Sequence, residues 1–126
     1  MDHINKGQNK AKGSKGEDIA VKLLQDKGYT ILDRNWTFGR KELDIIALDG
    51  EVLVIVEVKS RTPDRYENPA DSITDGKIRN ILEATEAYIF QKGIDRNVRF
   101  DYISNIFFGD HIQTDHITGA FIPMVE

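Results

Sequence analysis

Asp44, Glu57 and Lys59 are the residues of this chain whose types and spacing could do chemistry. Glu57 and Lys59 are two apart, so in a strand they leave the same face. They follow an unbroken apolar run, Val52-Leu53-Val54-Ile55-Val56, in which only Leu53 is not β-branched. Such a run predicts a strand buried on both faces. An ionised carboxylate at its end needs a paired charge, a metal or a task. A second acid, Asp44, lies one predicted strand back. Two carboxylates on one face repel unless a proton or cation intervenes. Their oxygen donors suit magnesium or manganese, with the Val58 carbonyl as a further ligand. An ion there could activate water, and Lys59 could position that water or stabilise transition-state charge. Phosphodiester hydrolysis fits this set. The competing reading is an ion pair of Glu57 with Lys59 or Arg61, with Asp44 supporting a loop. Glu-x-Lys is common by chance. The buried run before it and the preceding Asp favour a site.

The elements that position these residues can be read outward from that strand. Glu42–Leu48 and Val52–Ser60 predict two strands joined by a two-residue Asp49-Gly50 turn. That turn pairs Leu48 with Glu51, sets Asp44 opposite Ile55 and Glu42 opposite Glu57, and gathers Glu42, Asp44, Glu57 and Lys59 on one face. A loop longer by one residue would send Asp44 to the other face. Tyr29–Phe38 predicts an earlier strand, broken near Asn35.

Ser14-Lys15-Gly16-Glu17 has capping-box spacing, with Ser14 as N-cap. Ile19, Ala20, Leu23 and Leu24 follow at helical spacing, and Gly28 can end the helix, giving a helix from about Lys15 to Lys27. The cap alone would explain Glu17. Residues 61–71 read as a loop around Pro63 and Pro69. Thr74 can cap a second helix with a stripe of Ile78, Ile81, Leu82, Thr85, Tyr88 and Ile89, stopped by Gly93. Lys77 and Arg79 in its first turns oppose the helix dipole, a hint that they serve something else. Val98–Ile106 predicts a fourth strand. Residues 110–118 are polar with His111 and His116, which read as solvated, and 119–125 predict a last strand or extended tail. Asp101 could assist the site from the next strand over, but reads first as a structural partner of Arg99 or of a helix amide.

The chain has 126 residues, 40% hydrophobic and 30% charged, with a formal net charge of -4. These values allow one soluble domain, and the acidic balance counts mildly against a nucleic-acid binder. Lys6, Lys10, Lys12 and Lys15 against the single acid Asp2 make residues 1–14 read as a mobile basic tail, with 15–126 as one domain. With no cysteine, disulfides, thiolate zinc sites and cysteine nucleophiles are excluded. No apolar run could span a bilayer and no signal segment opens the chain, so a cytoplasmic location is the default. Phosphate-binding-loop and Gly-x-Ser-x-Gly motifs are absent.

Several segments together resemble a known family: Gly16-Glu17, Gly39 through Glu42-Leu43-Asp44-Ile45-Ile46-Ala47, Val56-Glu57-Val58-Lys59-Ser60-Arg61, Lys77, and Arg99-Phe100-Asp101. Their order and spacing resemble the bacterial YraN-like family, a branch of the PD-(D/E)xK restriction-endonuclease-like nucleases similar to archaeal Holliday-junction resolvases. The resemblance implies an α/β fold with a mixed central sheet flanked by helices, in the order αβββαβ. It implies magnesium- or manganese-dependent cleavage of DNA, including branched DNA, by a homodimer without membrane attachment. It makes Asp44 and Glu57 the metal-binding acids, Lys59 the catalytic lysine, Glu17 an extra acid and Lys77 auxiliary. Lys41 stands where the family often has Gly. A non-catalytic nucleic-acid-binding module, or a protein-interaction scaffold, is the alternative.

Overall fold

The computed structural model describes residues 6–65 and 74–121, and side chains from Ser14 onward except Arg65. Helix α1 (Lys6–Asp26) precedes three strands, β1 (Thr30–Phe38), β2 (Lys41–Asp49) and β3 (Val52–Arg61). A single 3-10 turn (Pro63–Arg65), helix α2 (Asp75–Lys92), and strands β4 (Val98–Phe107) and β5 (Ile112–Ile117) complete the order. The sheet runs β1-β2-β3-β4-β5. Only β3 and β4 are parallel, with α2 as the crossover that parallel neighbours need. This is the α/β, restriction-endonuclease-like arrangement, with β5 added beyond the expected αβββαβ core.

The buried central run places one helix against each face of β3. Leu53 and Ile55 join Leu43, Ile46, Ile81, Ala84, Tyr88 and Phe100 in the layer under α2. Val54 and Val56 join Ala20, Leu24, Ile45 and Ile103 in the layer under α1. Each large aliphatic side chain buried this way contributes roughly 1.5–3 kcal/mol. The stops and caps follow local chemistry. Gly28, at φ 92°, closes α1 while the Gly28 and Tyr29 amides return to the Gln25 and Leu24 carbonyls. Thr74 caps α2 by accepting the Lys77 amide, and Gly93 ends that helix at φ 64°.

Three sequence expectations are corrected. First, α1 begins at Lys6, so Ser14 lies inside the helix and is not its N-cap. Residues 6–14 of the expected tail are helical. Gln, Ala and Lys propagate a helix well, and capping-box spacing also occurs within one. Residues 1–5 lie outside the described region. Second, the hairpin turn is Gly50-Glu51, because Asp49 pairs with Val52. Gly50, at φ 61°, takes the first loop position, where positive φ favours glycine. The register moves by two residues, so every side chain keeps its face. Third, the polar Ile112–Ile117 is a strand, the last among the described residues, and pairs with β4 from Phe107 to Tyr102. Its alternation suits an edge strand half-covered on one face. The expected strand over 119–125 begins instead with the Ala120 amide bonding the Phe100 carbonyl, and 122–125 lie outside the described region. So do residues 66–71 of the expected loop.

Candidate functional site

The site arises where β2 and β3 separate. Main-chain pairing between them ends at Ile45 and Val56. One step further the register sets Asp44 across from Glu57, closer than the diagonal relation expected from the sequence. There the Asp44 carboxylate replaces a backbone acceptor, and the Val58 amide donates to its Oδ2 at 2.9 Å. On its other edge β3 stays paired with β4 as far as Arg61 and Ile106. The Val58 carbonyl leaves the strand on the same edge as its amide, toward Asp44.

Opposite Asp44, β1 is distorted as well. Asn35 sits at φ 49°, the one non-glycine residue at positive φ among those described. Trp36 turns to the α2 layer and packs edge-on against Tyr88 at 5.1 Å. Arg34 reaches Asp18 of α1 at 2.7 Å. The break expected near Asn35 is thus a local reversal of faces.

The resulting cleft, about 710 Å3, is lined by Glu17, Arg40, Lys41, Glu42, Asp44, Glu57, Val58, Lys59, Ser60 and, from α2 and its cap, Thr74, Gly76, Lys77, Asn80 and Ile81. Four acids and four cations therefore share one concavity. Burial, and next the Glu57 carboxylate, push the Asp44 carboxyl up to about 7 against the opposing Val58 hydrogen bond. Glu57 is buried, and its carboxylate meets the Lys77 ammonium at 2.6 Å. Its partner is thus on α2, not its strand neighbour Lys59. Burial disfavours the charge on Lys77, but Glu57 more than compensates and the pKa is raised. Lys59 is exposed at the rim.

Glu17 enters from α1. Burial raises its pKa, with the Asn35 side-chain hydrogen bond and the Arg34 charge in opposition. With Ser14 inside the helix, capping no longer accounts for Glu17. Gly16 explains the close approach of α1 to β3. A methyl group there would run into the Ser60 hydroxyl, and the Asn105 amide donates to the Gly16 carbonyl at 3.1 Å.

The sequence singled out Asp44, Glu57, Lys59, Glu17 and Lys77, and all five line the one cleft. Sequence reasoning missed Asn35, Arg40, Ser60 and Asn80. An Asn beside the predicted strand break was the available signal for the first. His116 departs from expectation. Its side chain is 2% exposed, and its ring meets Asp101 at 2.8 Å and Lys27 at 2.9 Å. Strand β5 carries it onto the sheet, away from solvent. Asp101 bonds Arg99, as its structural reading anticipated, and its amide donor is Gly119 in a turn, not a helix amide. His111 is exposed, bonded to Asp110 and stacked on Phe108.

Asp44, Glu57 and the Val58 carbonyl would offer an all-oxygen donor set in which, among the described residues, Lys77 pairs with Glu57 and no cation is ion-paired to Asp44, a fit for a hard divalent ion. Among the described residues no three His, Cys, Asp or Glu side chains stand close enough to share an ion. Magnesium, which commonly takes one or two carboxylates and keeps its waters, does not require three.

A family model described as "Uncharacterised protein family UPF0102" matches residues 16–104. The chain belongs to the UPF0102 family. This is the YraN family of the sequence resemblance, a restriction-endonuclease-like group. A UPF0102 protein of Phocaeicola vulgatus is 43% identical over 113 residues, covering 90% of this chain and 93% of the relative. The UPF0102 protein FP2501 of Flavobacterium psychrophilum is 39% identical over 109 residues, covering 86% and 92%. One from Geobacter metallireducens is 43% identical over 114 residues, covering 90% and 93%. The UPF0102 match spans α1 to β4 and so includes every residue of the candidate site.

Proposed function

We propose that this UPF0102 protein is a metal-dependent endonuclease that hydrolyses DNA phosphodiester bonds, with branched DNA among its substrates. The carrying observation is the cleft at the β2–β3 separation, where Asp44 and Glu57 face one another beside the Val58 carbonyl. A bound magnesium or manganese ion supplies charge neutralisation and a more acidic water. Asp44 and Glu57 would hold it, and Lys59 would orient the attacking water or balance charge on the phosphoryl oxygens. Arg40 gives the DNA backbone a cationic contact, with Lys41 beside it in an ion pair with Glu83 at 2.6 Å. Glu17 and Lys77 complete the wall. A substrate with two-fold symmetry favours a homodimer carrying two such clefts.

The test is cleavage of labelled linear, flap and four-way-junction DNA by the pure protein with magnesium or manganese. Asp44→Ala and Glu57→Ala should abolish cleavage, Lys59→Ala should slow it by roughly 10²- to 10³-fold, and chelator should stop it. Cleavage unchanged in either acid variant would refute the reading. The Lys77–Glu57 ion pair favours the second reading, a non-catalytic nucleic-acid-binding module, because it already neutralises one acid. Salt-sensitive binding without cleavage in either metal would select that alternative.

A further inference from the structure

The contact between Lys77 and Glu57 is unusual in where its cation comes from. Lys77 lies in the first turn of α2, three residues after the Thr74 cap. Unpaired amides there already concentrate positive charge, so an ammonium is disfavoured. The side chain nevertheless reaches across the cleft to a carboxylate only 10% exposed and meets it at 2.6 Å. Lys59 leaves the same face of β3 as Glu57 but is exposed at the rim. Asp44, by contrast, accepts a hydrogen bond from the neutral Val58 amide, its one donor among the described residues. Of the two facing acids, Glu57 holds the ammonium in a direct ion pair, whereas Asp44 feels the Lys77 charge without an ion pair among the described residues.

We propose that Lys77 is an internal counter-ion that holds the place of the divalent ion at Glu57 and is released when that ion binds. The inference rests on the nuclease reading and assigns a regulatory role within the same site. With both acids ionised, the two carboxylates and one ammonium carry a net charge of -1. Adding a divalent ion while Lys77 stays would bring two cations onto one carboxylate, so the two occupants oppose each other. The ammonium then moves from Glu57 into a cleft that already exposes Lys59, where a phosphate group would be its next partner. Lys77 thereby lowers affinity for the ion in the empty protein and raises affinity for a phosphate-bearing substrate in the loaded one. Ion and substrate binding become positively coupled through one side chain.

Calorimetric titration of the full chain with manganese, without DNA, tests the coupling. Lys77→Met keeps the length of the side chain and removes its charge, and it should bind manganese about tenfold more tightly than the native chain. Lys77→Arg should remain close to native. Thermal melts of each variant establish that it is folded. Equal or weaker binding by folded Lys77→Met would overturn the proposal while leaving the metal site standing. Absence of binding in both proteins would overturn the proposal and the metal site together.

A second readout uses no variant. Acylation of surface amines, followed by mass spectrometry of peptides, should show Lys77 becoming more reactive when manganese is added, with Lys22 as an exposed internal reference. Unchanged reactivity of Lys77 under saturating manganese would count decisively against its release.

Discussion

Asp101 shows at the scale of one residue how a buried charge can be wholly structural. It is fully buried, yet Arg99, His116 and the Gly119 amide all bond it. Burial opposes its ionisation, but the hydrogen bonds from His116 and Arg99 prevail and hold its pKa down to about 2. A depressed pKa contributes stability that is complete above the ordinary carboxylate value of 3.8 and is lost as pH falls toward about 2. Asp101→Asn should therefore flatten the acid limb of a plot of melting temperature against pH. Asp101→Ala, which leaves Arg99 and His116 facing an empty acceptor, should cost roughly 3–5 kcal/mol in denaturant titrations. Asp44 shifts the other way because burial, and then the neighbouring Glu57 anion, outweigh the single hydrogen bond from the Val58 amide. Direction of shift thus separates the structural acid from the candidate catalytic one.

Among elements, the contact of α1 with β3 sets the geometry of the cleft wall. Gly16 lets the helix lie against Ser60, and Asn105 ties both to Thr114 of β5. Gly16→Ala improves helix propensity, yet its methyl would strike the Ser60 hydroxyl and crowd the Asn105 amide, so these side chains must shift. We expect a net loss of about 1–3 kcal/mol by thermal or chemical denaturation, together with displacement of Glu17.

Much of this architecture was legible because the signals were local. The β-branched run fixed the buried strand, Thr74 and Gly93 bracketed α2, and Gly28 stopped α1. The face shared by Asp44 and Glu57 also followed, since an even shift of register preserves it. Less legible were features that depend on distant partners. The start of α1 had no unique cap, the polar β5 is held by pairing with β4, and His116 is buried because Asp101 lies across that ladder. Nothing adjacent to Gly16 in sequence indicates that Ser60 presses against it.

For the whole molecule, a net charge of -4 means that any approach to DNA depends on where the cations lie. Arg40, Lys41, Lys59 and Lys77 share the rim and walls of the cleft with four acids. Binding should accordingly weaken as salt rises, and Arg40→Ala and Lys59→Ala should each make the slope of log affinity against log salt shallower by about 1. Fluorescence anisotropy with a junction substrate at several salt concentrations would measure this. Unchanged slopes in both variants would place the nucleic acid elsewhere. No helix among the described residues is long and apolar enough to cross a membrane. Apolar exposure instead gathers beside α2, where Phe90 is 88% and Phe38 43% exposed around a shallow groove.

The Val58 amide, in the centre of the polypeptide, ends on an oxygen of Asp44 and not on a main-chain carbonyl. Its proton therefore senses the electronic state of that acid directly. In an isotope-labelled sample, the Val58 resonance should shift on addition of manganese's diamagnetic counterpart, magnesium, before any nucleic acid is present, which would make this one amide a spectroscopic gauge of occupancy.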